Sequence, residues 1–316
     1  MSYATQSYLW MTLDPVHIGT GGYRLGRVDN SIVREPGTRL PKIPGTSLSG
    51  AARSYAAMQN ESPQCAGQGG HCQQRDCPIC YTFGSLKVEQ QGNPKKTTSY
   101  AGTINIFDAQ LLFFPVHSLA GPVWVTSPDQ LRGAGVKQIP QLPAEKIMLA
   151  AGLKVPQQQL NLGWLLLEAV DDPLKLKGAM LQGAAWDAIK ARTVLVTDKL
   201  FSQIVNSNLE VRTSVSIDPE TGAAEKGALF TYEAIPRSAF LVSAVVEDSF
   251  RQDKFPVTEQ TAQGTPLTNG PWRSPLDVAG AGLKMIEWLG VGGMGTRGFG
   301  RMRVVHTENI SGGNNA

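Results

Sequence analysis

The stretch "SPLDVAGAGLKMIEWLGVGGMGTRGFGRMRVV", residues 274–305, decides the architecture. It reads as a helix with Ser274 as cap and Pro275 at its first position, then a glycine loop, then a final strand. A dinucleotide fingerprint runs from strand through glycine loop to helix, so this loop, which follows a helix and enters a strand, is not one. Nor is it a Walker loop, since no Gly-Lys-Ser/Thr follows. Gly290, Gly292, Gly293, Gly295, Gly298 and Gly300 surround Arg297, Arg301 and Arg303. Bare backbone lets an anion approach closely, and arginines offer forked donors to phosphate; a flexible turn is the plain alternative.

The N-terminal end has matching parts. "SYLWMTLDPVHIG" (7–19) begins as a strand, with Tyr8, Trp10 and Thr12 on one face and Leu9, Met11 and Leu13 on the other. The glycine-rich "GTGGYRLG" follows, then short strands near Ser31–Arg34 and Arg39–Ile43. "PGTSLSGAARSYAAM" (44–58) reads as a helix capped by Thr46 or Ser47, with Leu48, Ala51, Tyr55 and Met58 at helical spacing. "TINIFDAQLLFFPV" (103–116) is a strong buried-strand signal, a helix starts near "SPDQLRG" (127–133), and "VLVTDKLFSQIV" (194–205) is a strand running into a capped helix. A further helix falls within Lys175–Arg192. "VRTSVSIDPETGAAEKGALFTYEAIP" (211–236) alternates on both sides of a Pro-Glu-Thr-Gly turn, which is a hairpin pattern. "FLVSAVVED" is another strand, "KVEQQGNPKKTTSYAG" (87–102) a polar loop, and "HTENISGGNNA" (306–316) a polar tail. Together these predict an α+β fold with helices on one face of an antiparallel sheet, a ferredoxin-like core carrying long insertions.

The 316 residues, 41% hydrophobic and 17% charged, permit a sizeable core and argue against global disorder. The net charge of +3 does not by itself point to nucleic acid, although a basic face hides easily in a balanced total. No signal-peptide layout and no transmembrane-length apolar run is present, so the expected location is cytoplasmic, away from membrane.

All four cysteines lie within "CAGQGGHCQQRDCPIC" (65–80). The spacing C-x6-C-x4-C-x2-C lets Cys65, Cys72, Cys77 and Cys80 wrap one tetrahedral zinc, with His71 an alternative ligand. Free thiols or a redox C-x-x-C are the other readings. Four cysteines leave no open position, so the zinc is expected to be structural, and a zinc hydrolase is disfavoured.

Taken together, "HIGTGGYRLGRVDNSIVREPGTRLPKIPGTSLSGAAR" (17–53), "AGTINIFDAQLLFFPVHSLAGPVWVTSP" (101–128), "SVSIDPETGAAEKGALFTYEAIP" (214–236) and "GVGGMGTRGFGRM" (290–302) resemble the backbone subunits of type III CRISPR effector complexes, in the RAMP superfamily. "FDAQLLFFPV" and "GALFTYE" are more similar to the Cmr-type (III-B) subunit, and the cysteines before "YTFGS" to Csm-type and III-D relatives. The resemblance implies one RAMP backbone-type domain over 1–316 with an RNA-recognition-like (RRM-like) ferredoxin core, a zinc-knuckle insertion at 60–100, an insertion at 136–192 and a thumb hairpin at 211–236. It implies copies stacked in a filament along a CRISPR RNA beside other effector subunits, and metal-dependent endoribonuclease cutting of a target RNA at regularly spaced kinks.

By the same resemblance Asp29, in "GRVDNSIVRE", matches the catalytic Asp; His17 is a candidate assisting proton donor, with a structural or RNA-contacting role as its alternative, and Glu233 is a weaker candidate. A carboxylate there either holds Mg2+ or another divalent ion, or orients the 2′-OH for in-line attack; the arginines around it offset its repulsion of phosphate, and a turn Asp paired with Arg27 is the bland alternative. Guide RNA contacts are expected from Lys42, Ser47, Ser49, Arg53 and the loop of Arg297 and Arg301. Relatives often carry Lys where this chain has Ser49, which leaves more to Arg53 and Lys42. A non-cleaving scaffold and a stand-alone CRISPR RNA processing endoribonuclease are the rival readings.

Overall fold

The computed structural model describes residues 3–21, 28–67, 71–72, 74, 76–89, 96–225, 227–248, 254–256 and 271–311. Strand β1 (Tyr3–Thr12) is the first strand of the reading above, and both its faces are buried: Tyr8 and Trp10 enter one apolar cluster, Leu9 another. It is flanked by β15 (Met302–Ser311) and β14 (Phe240–Asp248), and β14 pairs onward with β6 (Ala109–Val116), every neighbour antiparallel. In chain order these are the fourth, first, third and second core strands. Helix α1 (Gly45–Gln59) lies between the first and second, and α6 (Pro275–Lys284) between the third and fourth. That is the split βαβ arrangement of a ferredoxin-like core.

α6 starts as the sequence predicts. The Ser274 hydroxyl accepts from Asp277 N–H, and the Asp277 carboxylate accepts from Ser274 N–H. That reciprocal box satisfies two orphan donors of the first turn. α1 does not: neither Thr46 nor Ser47 caps it. Asp108, remote in sequence, reaches across from the entrance to β6, and its Oδ1 accepts from Gly45 N–H (2.7 Å). α1 and α6 meet at Gly282, where an added Cβ would fall 2.0 Å from the Ala52 carbonyl oxygen. The buried face of α1 is Leu48, Ala52 and Ala56, while Met58 of the predicted stripe is exposed.

Four expectations need correction. The sheet is mixed: beyond β6 it continues through β7 (Val123–Thr126), β11 (Thr193–Leu195), β8 (Lys146–Leu149), β10 (Leu165–Ala169) and β9 (Gln159–Leu162), with β7–β11 and β8–β10 parallel. Parallel neighbours need long crossovers, and the stretch 127–192 supplies one. Helices also cover both faces. α5 (Asp198–Ser207) sends Phe201, Ile204 and Val205 to the face of Trp10, Leu48 and Leu111; α3 (Pro128–Gly133) and α4 (Ala184–Ile189) send Leu131 and Ile189 to the face of Leu9, Leu112 and Phe113. The run Leu111–Phe114 is continuously apolar because both faces of that strand are buried. Finally, the polar segment after the cysteines is a hairpin, β3 (Ser85–Glu89) with β4 (Lys96–Tyr100), pinched at its root where Gly84 and Gly102 leave no room for a Cβ. The polar tail likewise contributes strand: residues to Ser311 pair with β1. None of the described helices is long and apolar enough to cross a membrane.

Candidate functional site

The predicted hairpin is present. β12 (Glu210–Ser214) and β13 (Phe230–Ala234) pair antiparallel, and an Ile217–Ala224 bridge continues the pairing toward the tip. The Asp218 carboxylate stabilises that turn by accepting from Glu220 N–H and the Thr221 hydroxyl. Val215, Ile217 and Leu229 are exposed among the described residues, so the distal hairpin carries apolar surface.

β13 organises what surrounds the root. Its alternating side chains face two different partners. Thr231 and Glu233 meet the segment 29–34, and Phe230 and Tyr232 meet the C-terminal glycine loop. Segment 29–34 runs beside β13: Asn30 N–H donates to the Thr231 carbonyl (3.0 Å), and Glu233 N–H to the Asn30 carbonyl (3.0 Å).

Asp29 therefore does not sit on a free loop. Its Oδ2 accepts from Thr231 N–H (2.7 Å) and from the Thr231 hydroxyl (2.9 Å), whose oxygen accepts in turn from Asp29 N–H (3.1 Å). Among the described residues no hydrogen bond reaches Oδ1, and the residue is exposed. The Thr231 backbone bond and then its hydroxyl bond hold the Asp29 carboxyl below its ordinary pKa. Two residues past Thr231 on β13, Glu233 pairs through both carboxylate oxygens with Arg34 (2.9 Å each), and its Oε2 also accepts from Ile32 N–H (3.2 Å). This pair is largely buried, which makes Glu233 a brace of the hairpin root. Arg24 and Arg27, and most of the glycine-rich stretch around them, lie outside the described residues.

The other side of β13 packs on the glycine loop. Tyr232 sits 5.3 Å from Phe299 between ring centroids, and Arg297 lies over Phe230 at 5.6 Å. His17 is buried beneath: its Nδ1 donates to the Glu233 carbonyl (2.6 Å), its ring stands edge-on to Tyr232, and its own carbonyl accepts from Gly293 N–H. A Cβ at Gly292 (φ +87°) would fall 2.5 Å from the His17 carbonyl oxygen, so glycine is required there for close approach as well as backbone.

The expected guide-binding residues divide into two groups. Ser47 lines a cleft of about 360 Å³ between α1 and the glycine loop, with Ser54, Tyr55, Gly292 and Gly295; Arg297 is exposed near it. Ser49 is half-buried on α1. Lys42, Arg53 and Arg301 have protein partners. Lys42 is shared between Asp108 (2.6 Å) and Glu35 (2.8 Å), which push its pKa up. Arg301 pairs with Asp14. Arg53 donates to the carbonyls of Cys65 (2.7 Å) and Phe83 and contacts His71 Nδ1 (2.8 Å).

Arg53 thus braces the cysteine segment. Cys77 is the N-cap of α2 (Pro78–Phe83) and accepts from Cys80 N–H, so the C-x-x-C half is built by the helix start. Sulfur separations are 3.8 Å for Cys65–Cys77, 3.8 Å for Cys72–Cys80 and 3.7 Å for Cys65–Cys80, and all four Sγ atoms lie within 4.8 Å of one another. A tetrahedron around an ion with sulfur bonds of about 2.3 Å has edges near these values. Four sulfurs complete it, and His71 Nδ1 is occupied with Arg53. The thiols have no disulfide partners. Burial pushes the Cys65 thiol up, while the hydrogen bond from the Cys80 thiol draws Cys77 down. The cluster packs with Ala56 of α1 and with Trp272, Val278 and Ala281 at α6, so it ties together the two core helices.

A family profile described as RAMP superfamily matches residues 11–303. The chain belongs to the RAMP superfamily. Among RAMP relatives, it is similar to the "CRISPR system Cmr endoribonuclease Cmr4" of Pyrococcus furiosus, 29% identical over 255 residues, 74% of this chain and 79% of that protein. Solved structures share the fold of this chain, among them two that cover nearly its whole length. One is oligomeric Cmr4 from Pyrococcus furiosus, at TM-score 0.59 and 20% identity, covering 98% of this chain and 99% of that one. The other is a chain of the type III-B Cmr-beta complex bound to cognate target RNA, at TM-score 0.62 and 15% identity, covering 95% and 96%. The Cmr-type likeness read from the sequence agrees with these matches.

Proposed function

We propose that this RAMP chain is a CRISPR RNA-binding backbone subunit of a Cmr-type type III effector complex. It stacks with further copies of itself and other effector subunits, and it cuts the paired target RNA at regular intervals with Asp29 in the cutting loop. The observation that carries this reading is the convergence on one strand, β13, of the Asp29 segment, the hairpin root and the arginine-bearing glycine loop. A hairpin that kinks a duplex and an acid that acts at the kink belong together, because in-line attack of a 2′-OH demands that the backbone be held in one geometry. The exposed Val215, Ile217 and Leu229 suit the wedge, since unstacking costs a few kcal/mol per step and apolar contacts offset it.

The lowered pKa of Asp29 narrows its role. An efficient general base titrates near the working pH; a carboxylate held below its usual range stays charged and is a weak proton acceptor. Asp29 then serves by charge and position, orienting the hydroxyl or holding a divalent ion through Oδ1. Among the described residues no second carboxylate joins it in a metal-sized cluster, so an ion there would take its other ligands from RNA phosphates and water. Such an ion would supply neutralisation of phosphate charge. The cysteine cluster holds one structural zinc in this reading, bracing the two core helices and leaving no open position for chemistry.

The test is a complex reconstituted with guide RNA and a labelled complementary target. Asp29→Ala should abolish cutting and leave guide binding and assembly intact. Cutting by that variant at the wild-type rate overturns the assignment. One observation favours a non-cleaving scaffold: Asp29 also clamps the hairpin root through Thr231. Asp29→Asn separates the two, since the amide keeps an acceptor for Thr231 but carries no charge. A scaffold tolerates it; a cutting site does not.

A further inference from the structure

The residue facing Asp29 has a distinct part in the same site. We infer that Thr231 is the positioning residue of the cutting carboxylate: from the return strand of the hairpin it fixes Oδ2 and leaves Oδ1 for substrate or cation. This rests on the reading of Asp29 as the cutting residue.

The geometry is a closed loop of three hydrogen bonds between two residues that are 202 positions apart. A hydroxyl both donates and accepts, and Thr231 uses both capacities on Asp29: it gives its proton to Oδ2 and takes one from Asp29 N–H. Its backbone N–H adds a second donor to the same oxygen. An exposed aspartate on a loop otherwise samples several rotamers and presents either oxygen to solvent. Here one oxygen is committed and the carboxylate plane is constrained, and the same donors from Thr231 lower the pKa of the carboxyl. Thr231 is itself held in register, opposite Thr213 of β12, with Asn30 bonded to its carbonyl. Hairpin seating and carboxylate orientation are therefore coupled at one side chain.

Among the described residues, charged groups on the surrounding elements have other partners. Arg34, on the segment of Asp29, is paired with Glu233 of β13. Glu35 is paired with Lys42. Glu210 and Arg212 of β12 pair with each other, and Arg297 of the glycine loop lies over Phe230.

The test uses the reconstituted complex with Thr231→Val, which keeps shape and removes the hydroxyl, Thr231→Ser, which restores it, and Thr213→Val, which removes the opposite hydroxyl and leaves the three bonds between Asp29 and Thr231 in place. Thr231→Val should slow cutting by roughly tenfold to a hundredfold, the scale on which a small misplacement of a reacting group acts. The sign of the pH effect follows from the bonds lost. Thr231 lowers the Asp29 pKa, so its removal raises that pKa, and the acid limb of the cutting profile moves to higher pH. Thr231→Ser should return rate and profile toward wild type, and Thr213→Val should shift neither. Guide binding and thermal midpoint should be unchanged throughout. Thr231→Ala is read as Thr231→Val is. A wild-type rate and pH profile from Thr231→Val, with Asp29→Ala inactive, overturns the inference while leaving Asp29 in place. Failure of both Thr231→Val and Thr231→Ala to assemble assigns the hydroxyl to the fold and also overturns it. If Asp29→Ala itself cuts, the reading of Asp29 fails and takes this inference with it.

Discussion

Replacing Glu233 with alanine should cost more stability than any single change in the exposed part of the hairpin. The side chains of Arg34 and Glu233 retain only 13% and 10% of their exposure. Removing one partner of a buried pair leaves the other as an uncompensated charge, at about 3–5 kcal/mol. Ile32 N–H loses its acceptor in the same step, a loss of about 1–3 kcal/mol on its own. The two overlap, because one relaxation of the segment rehydrates both donors, so the expected loss stays near 3–5 kcal/mol. At roughly 2 °C per kcal/mol for a chain of this size, the thermal midpoint should fall by about 6–10 °C. Replacing both residues with methionine should recover most of that loss, because a buried pair exchanged for apolar groups of similar volume is often neutral. The assay is urea denaturation of wild type, both single variants and the double variant, as a double-mutant cycle. A single variant with the wild-type midpoint, or a double variant as unstable as the sum of the singles, refutes the argument that the pair is buried and coupled.

Two further expectations follow from the core helices. The purified, reduced protein should hold about one zinc per chain, and Cys77→Ser should lose the metal and lower the thermal midpoint, because the cluster packs on α1 and α6; metal analysis that finds no zinc removes the claim. Two glycines on these helices should respond with opposite signs. Gly282→Ala drives a Cβ into the Ala52 carbonyl and should cost about 1–3 kcal/mol or more, whereas Gly50→Ala on α1 meets nothing within 4 Å and should stabilise by up to about 1 kcal/mol; denaturation midpoints that move together contradict the packing described.

The elements that read correctly from the sequence are those whose signal is local. The Ser274-Pro275 helix start, the strand running into a capped helix at α5, the alternation on both sides of the Asp218 turn and the tight cysteine spacing are each decided within a few residues. The misses share one cause. Asp108 caps α1 from 63 positions away, and the strands at 146–169 are short, with the sheet that receives them assembled from both ends of the chain. Lys42 and Arg53 read as free cations because nothing near them in sequence shows that Asp108, Glu35 and the Cys65 carbonyl would engage them. One signal for Thr231 was legible: in "FTYEA" Thr231 and Glu233 share a face by the period of a strand, so the partner of one would lie near the partner of the other.

What the sequence determined by itself is the list of parts: a glycine loop with arginines, a hairpin, a cysteine knuckle, the capped second core helix, and a lone acid in a basic segment. Those follow from backbone propensity, side-chain spacing and ligand chemistry, which act between near neighbours. Only the tertiary structure decided that β13 brings three of these parts together, presenting Thr231 and Glu233 to the Asp29 segment and Phe230 and Tyr232 to the glycine loop. A strand has two faces, and which partner each face meets depends on sheet order and register, set by burial of residues hundreds of positions apart.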